Sequence, residues 1–275
     1  MRIDLHTHSR ASDGTQTPSE LVGAALEAGL DVLGLTDHDT AAGWAEAARA
    51  ADGTRLTLVR GIEISARHGG HGVHLLAYRV DPAYPPLAAA LDKILDGRSS
   101  RVPAILERLH SHGIEVTAAD VRRAAQGTTA TGRPHIADAM VTNGYVADRS
   151  QAFREWLNPG MPAYVDRYAA ALVDVLRLVG EAGGVPVIAH PWGRHGPEAM
   201  GEQAIAELKD LGLAGLEVDH EDHPPEARER LRAIARDLDL VVTGSSDHHG
   251  AGKDGHALGC NTTAPEEYER LMSLA

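Results

Sequence analysis

Two histidines one residue apart, His6 and His8, open a series of metal-type ligands that recurs as far as Asp247 and His249. A strand puts residues i and i+2 on one face, so His6 and His8 can converge on one ion if Arg2 to Thr7 is extended. Asp247 and His249 repeat that spacing behind the apolar run Leu240-Val241-Val242-Thr243. Three further apolar runs end in ligand-type residues, at Thr36-Asp37-His38, at Glu63 and at His190, and His74 lies inside another. Imidazole and carboxylate hold Zn, Mn or Fe, and such a cluster without thiolate points to catalysis more than to a structural zinc. One histidine at a strand end is ordinarily a satisfied polar residue. Ligand chemistry at several independent strand ends needs a common cause, and a multi-metal catalytic site supplies one.

Such donors need a scaffold that brings distant strand ends together. Seven apolar runs read as strands: Arg2 to Thr7, Val32 to Thr36, Leu56 to Ile64, Gly72 to Val80, Val185 to Ala189, Ala214 to Val218 and Leu240 to Gly244. Helical patterns alternate with them, at Leu21 to Ala28 behind a Thr17 N-cap and Pro18, then at Ala41 to Ala51, Ala169 to Ala182, Pro197 to Leu211 and Pro224 to Leu238. Alternation of this kind predicts a parallel sheet, and ligands at several strand ends favour a closed barrel over an open sheet. The expected fold is α/β, a distorted (β/α)7 barrel with a small helical insertion domain. Asp81 to Gly184 is too long for one crossover and carries helical patterns at Leu87 to His112, Ala118 to Ala125, Pro134 to Asn143 and Gln151 to Leu157. We therefore assign residues 99–162 to a lid or substrate-binding insertion and residues 1–98 and 163–275 to the barrel.

The composition narrows the function classes. With 275 residues, 43% of them hydrophobic, the chain can bury a sizeable core. No apolar stretch reaches the length of a membrane span, and no basic or hydrophobic leader precedes the first strand, so a cytoplasmic protein without membrane partners is expected. The lone Cys260 excludes an internal disulfide framework, fits a reducing compartment and is given no chemistry. A net charge of −13 argues against a broad surface for duplex nucleic acid, which is bound through many Lys and Arg contacts to phosphate. Gly69-Gly70 lacks the Lys-Ser/Thr context of a triphosphate-binding loop.

His6-Thr7-His8, Asp13-Gly14, Thr36-Asp37-His38, Gly61-Ile62-Glu63, Ala189-His190-Pro191 and Ser246-Asp247-His248-His249-Gly250 together resemble the ordered motifs of the PHP (polymerase and histidinol phosphatase) superfamily. The resemblance spans Met1 to about Gly259. It implies nine metal ligands, His6, His8, Asp13, His38, Glu63, His74, His190, Asp247 and His249, holding three divalent ions in a barrel cleft. One ion would take His6, His8, Glu63 and Asp247, one Glu63, His74 and His190, and one Asp13, His38 and His249, with Glu63 bridging. Manganese is expected, with iron or zinc as alternatives. Three divalent ions bring six positive charges against three carboxylates, which makes the site receptive to phosphate despite the acidic chain. His248 competes with His249 for the last place, and the i+2 spacing from Asp247 favours His249. Asp37 is an alternative that would orient a ligand by hydrogen bonding.

A second resemblance lies in the insertion. Thr131-Gly132-Arg133-Pro134-His135-Ile136-Ala137, Gly144-Tyr145-Val146 and Phe153-Arg154-Glu155-Trp156-Leu157 are similar to the helical insert of the branch that contains 3′,5′-nucleoside bisphosphate phosphatases and a 5′→3′ exoribonuclease. It implies that Arg133 and His135 bind substrate phosphate, Arg offering a rigid fork of donors beside a helix start. Arg194, after His190-Pro191-Trp192-Gly193, is a weaker substrate-binding candidate, and His195 shares that loop. Glu217 to His223, at a strand end, reads first as an acidic solvated loop with lining of the cleft as the alternative, and His68, His71, His110 and His112 read as surface residues. The expected activity is hydrolysis of a phosphate monoester of a small nucleotide, foremost the 3′-phosphate of a nucleoside 3′,5′-bisphosphate, by a metal-activated hydroxide, with the general acid unassigned. Alternatives are a 5′→3′ exoribonuclease on short RNA, a histidinol-phosphate-type phosphatase and a non-catalytic metal-stabilised binding module. No heptad or interface pattern specifies an oligomeric state.

Overall fold

In the computed structural model, which describes residues 1–193 and 196–274, eight strands are distinguished. They are β1 (Ile3–Thr7), β2 (Val32–Leu35), β3 (Thr57–His68), β4 (His71–Tyr78), β5 (Ala170–Ala171), β6 (Val185–Ala189), β7 (Gly215–Asp219) and β8 (Val241–Gly244). Seven form a nearly closed, barrel-shaped sheet in the order β1-β2-β3-β4-β6-β7-β8, and the two-residue β5 pairs with β3. Across the seam, Thr7 and His248 form a parallel bridge, and His248 O accepts the His8 N–H at 2.8 Å. The distorted seven-stranded barrel is therefore present.

The sheet is not all parallel. β4 runs antiparallel to both β3 and β6, whereas the other pairings along the path are parallel. Gly69 and Gly70, read from sequence as a surface loop, explain the reversal: their φ values of 54° and 86° form the two-residue turn of a β-hairpin. β3 also continues to His68, so Glu63 lies within a strand and not at its end. The helical pattern from Leu87 to His112 divides at Arg101 into Pro85–Ser100 and Val102–Ser111, with Pro103 in the first turn of the second helix.

Alternation along the strands sorts side chains into layers. Ile62, Ile64, Leu75, Ile188, Leu216 and Val218 pack with helical residues such as Leu21 and Leu176 in the largest apolar cluster. Val59, Leu76, Tyr78, Val185 and Val187 form another cluster on the opposite face, the face that also carries Glu63 and His74. Thr17 caps the helix Pro18–Glu27 through a capping box with Glu20, as its sequence predicts. Residues 102–163 gather a third cluster around Ile105, Leu109, Ile136, Met140 and Leu157. Among the described residues no helix is long and apolar enough to cross a membrane.

Candidate metal centre

β1 delivers His6 and His8, whose Nε2 atoms lie 3.1 Å apart. The segment after β2 carries His38, β3 carries Glu63, β4 carries His74, and the ends of β6 and β8 lead into His190, Asp247 and His249. Asp13 arrives on the loop after β1, and all nine side chains are buried. Glu63 lies at the middle. Its Oε1 is 2.6 Å from His74 Nδ1 and 3.2 Å from His190 Nε2, while Oε2 is 2.8 Å from His38 Nδ1, 3.3 Å from His8 Nε2 and 3.5 Å from His6 Nε2. Asp247 Oδ1 is 3.3 Å from both His6 Nε2 and His8 Nε2, and Asp13 lies 3.4 to 3.6 Å from His8, His38 and His249.

Donor atoms at these separations fit around cations. His8, Asp13, His38 and His249 form one group within 4.8 Å, His6, His8 and Asp247 a second, and His38, Glu63 and His74 a third. His8 thus joins the Asp13 group as well as the His6 group, a sharing that the three expected ligand sets lack. Among the described residues, His38 Nδ1, Glu63 Oε2 and Asp247 Oδ1 are buried and find no hydrogen bond of acceptable geometry, despite the 2.8 Å separation of the first two. Buried polar atoms are ordinarily satisfied, so atoms converging without bonding one another match places for metal ions. Burial opposes charge on His8, but the surrounding carboxylates of Asp247, Glu63 and Asp13 outweigh it and push its pKa up to about 10. Burial instead pushes His190 and His249 down to about 4.

The neighbours show what the sequence reading missed. Glu217 and His220 are fully buried, contrary to the expected solvated acidic loop. Glu217 contacts His6 and His190, and His220 contacts Asp247, because β7 stands between β6 and β8 in the barrel wall. Asp37 touches no donor of the cluster; its carboxylate accepts from Ser9 N, Ser9 Oγ and Ser12 Oγ at 2.6 to 2.8 Å and so braces the loop that carries Asp13. His248 turns away to the His256 carbonyl and Gln16, whereas His249 Nδ1 donates to Asp247 O at 2.8 Å and leaves Nε2 facing Asp13. His190 and Asp247 have φ values of 28° and 53°, strained for non-glycine residues and characteristic of functional sites.

Above the donors is a cavity of about 330 Å³, bordered by Glu63, Asp13 and Asp247 and by Arg98, Arg101, Arg133, Arg149, Arg167 and Lys253. Arg133 donates to Leu157 O at 2.8 Å and lies over the rings of Phe153 and Tyr164. Arg101 is 6% exposed, makes a long bond of 3.4 Å to Val165 O, and its Nε finds no partner among the described residues. Burial first, then Arg133, Arg167 and Arg98, push its guanidinium down to about 8, so it remains protonated at neutral pH. Arg98 is committed elsewhere, to Asp39 at 2.6 Å and to Ser65 at 2.9 Å. His135 does not border this cavity: its Nδ1 accepts the Gly132 N–H at 3.1 Å, and it borders a smaller cavity of about 70 Å³ shared with Arg149. Arg194 and His195 lie outside the described residues. Arg98 and Arg101 carried no signal in the sequence beyond their places in a helical pattern.

Comparison with known proteins agrees with this arrangement. The chain is 35% identical to a 3′,5′-nucleoside bisphosphate phosphatase of Chromobacterium violaceum over 96% of its own length and 92% of the relative. It is 33% identical to a 5′-3′ exoribonuclease of Haemophilus influenzae, over 90% of each chain, and 33% identical to a phosphoribosyl 1,2-cyclic phosphate 1,2-diphosphodiesterase of Eggerthella lenta, over 90% of this chain and 94% of that one. A solved structure from Bifidobacterium adolescentis, described as a metal-dependent phosphoesterase, superposes with a TM-score of 0.95 at 37% identity, covering 99% of this chain and 96% of that one. An amidohydrolase structure from Chromobacterium violaceum, with bound sulfate and no metal, gives 0.90 at 34% identity, covering 100% and 97%. The PHP domain family matches residues 4–121, and with these relatives and this donor cluster the chain belongs to that family, as a metal-dependent phosphoesterase.

Proposed function

We propose that the protein removes the 3′-phosphate from nucleoside 3′,5′-bisphosphates. The observation that carries this reading is the pairing, across one cavity of about 330 Å³, of a His/carboxylate cluster with Arg101 and Arg133. That volume is near the lower end for small-molecule sites, and a substrate with two phosphates would match an arginine wall on one side and, on the other, a carboxylate-bearing wall that bound divalent ions would make positive. The nine residues His6, His8, Asp13, His38, Glu63, His74, His190, Asp247 and His249 would hold the ions. Divalent ions bound there supply Lewis-acid chemistry, lowering the pKa of water and neutralising phosphate charge.

The chain's own side chains do the rest. Arg133 offers a planar fork of donors to the phosphate that is not cleaved, and Arg101 adds a cation that burial has already stripped of water. Anchoring one phosphate orients the other over the cluster, and orientation of this kind contributes to rate as well as affinity. We read residues 99–162 as the lid and substrate-binding element, because Arg133 and Arg101 both come from it and its own apolar cluster can hold them as a unit.

A 5′→3′ exoribonuclease is the second reading, favoured by Phe153, an aromatic side chain on the cavity border beside Arg133 against which a base could pack. Phosphate release from adenosine 3′,5′-bisphosphate, measured beside mononucleotide release from a 5′-phosphorylated RNA pentamer with Mn-loaded protein, separates the two. Turnover of the bisphosphate with the pentamer left intact is the expected result. Cleavage of the pentamer alone replaces the phosphatase with the exoribonuclease, and activity on neither overturns both.

A further inference from the structure

β7 supplies none of the nine expected ligands, yet two side chains, one from its middle and one from the turn beyond it, reach three of them. Glu217 Oε1 lies 3.0 Å from His6 Nδ1, and Oε2 accepts the His190 backbone N–H at 2.9 Å. An ionised carboxylate only accepts, so the first contact requires a hydrogen on Nδ1. In a neutral ring Nε2 then bears the lone pair, and Nε2 is the atom 3.1 Å from His8 Nε2 and 3.3 Å from Asp247 Oδ1. The second contact holds the His190 backbone at its strained φ of 28°.

His220 treats Asp247 in the same manner. Its Nδ1 accepts the Asp222 N–H at 3.1 Å, so the ring hydrogen sits on Nε2, which donates to Asp247 Oδ2 at 3.3 Å. Lys253 Nζ donates to the same oxygen at 2.6 Å. Oδ2 is therefore covered by two donors, while Oδ1 faces the cluster and makes no hydrogen bond. His220, Asp247 and His256 also bring ligand atoms within 4.8 Å of one another. A ring that already accepts at Nδ1 has no second lone pair in its neutral form, which removes His220 from that group as a ligand.

We propose that Glu217 and His220 are positioning residues: β7 aims the ligands of its neighbours, making His6 bind through Nε2 and Asp247 through Oδ1. The proposal rests on His6 and Asp247 being metal ligands, and not on which phosphate ester is cleaved. Partners of this kind fix ring orientation and ligand basicity, and their loss costs about 10–100-fold in metal affinity.

Glu217→Gln tests the first contact, because an amide has one acceptor oxygen for two donors. Manganese binding is titrated for wild type and variant and read as affinity and ions per chain, with thermal unfolding of the metal-stripped proteins alongside. We expect wild-type folding of the stripped variant and at least about tenfold weaker binding of one ion. His220→Gln and His220→Leu test the second contact, since Gln can place an N–H where His220 has Nε2–H and Leu cannot. Retained affinity in His220→Gln with loss in His220→Leu is expected, and this pair decides the matter should Glu217→Gln fail to fold. Unchanged binding in Glu217→Gln, or equal affinities in the two His220 variants, overturns the proposal. Absence of manganese binding by the wild type overturns the ligand reading beneath it.

Discussion

The two walls of the cavity are built by different means. In the barrel, His6 is fixed by Glu217, Asp247 by His220 and Lys253, and the loop of Asp13 by Asp37 through Ser9 and Ser12, all between short or buried side chains except the partly exposed Lys253. Across the cavity Arg133 hangs from the Leu157 carbonyl and two aromatic rings, and Arg101 has one long contact to a carbonyl. A multi-ion centre needs donors placed to a few tenths of an ångström, which closed strands with buried partners provide. A phosphate can be met by long side chains that adjust. Under the proposed function the barrel wall performs the chemistry and the arginine wall selects the substrate.

The sharpest attack on this contrast is at Glu63, whose carboxylate touches five imidazoles. Glu63→Gln is expected to lower phosphatase activity by on the order of 10³-fold, roughly 4 kcal/mol of transition-state stabilisation, for every phosphate ester offered. Activity assays on several esters, with metal content measured in parallel, check it; a loss confined to bisphosphates would put selection in the barrel wall.

A second prediction concerns the strut between the walls. Arg98, on the helix that enters the insertion, pairs with Asp39 at 2.6 Å, and both are buried. Arg98→Ala leaves a buried carboxylate unpaired and should cost about 3 kcal/mol of stability, read as a lower denaturant midpoint. Burial opposes ionisation of Asp39, and Arg98 outweighs it, leaving the pKa below its ordinary value. The pair's stabilisation is thus full above the ordinary carboxylate range and is lost as pH falls through the lowered value. A wild-type and variant midpoint that converge in acid would bear this out, and a constant gap would contradict it.

Smallest is the effect at Arg133. Arg133→Ala should reduce kcat/KM for adenosine 3′,5′-bisphosphate by about 30-fold, the worth of a charge-assisted hydrogen bond of about 2 kcal/mol. Hydrolysis of p-nitrophenyl phosphate, which has no second phosphate, should change little. Equal losses on both substrates would erase the division between a chemical and a selective wall.

Much of the barrel wall was legible in sequence because its donors sit at spacings set by the strand itself. His6 and His8, and Asp247 and His249, share faces through a two-residue period, and apolar runs marked the strands that bring them in. The errors have identifiable causes. A glycine pair reversed β4, which alternation of strands and helices alone does not reveal, and the charge of Glu217 to His223 concealed the burial of Glu217, His220 and His223, although Glu221 and Asp222 are exposed. His135 follows the same motif as Arg133 but folds back onto Gly132, a choice made by the first turn of its helix.

By itself the sequence determined which donor chemistry is present, the strands that carry it and the family, because residue type and short-range period are written locally. Tertiary structure decided which atoms face one another. Glu217 meets His6 across 211 residues, His220 and Lys253 choose one oxygen of Asp247, and Arg98, at the cavity border, pairs with Asp39. Pairings of this kind are settled by barrel closure and by the cost of leaving a buried polar atom unsatisfied, and neither acts along the chain.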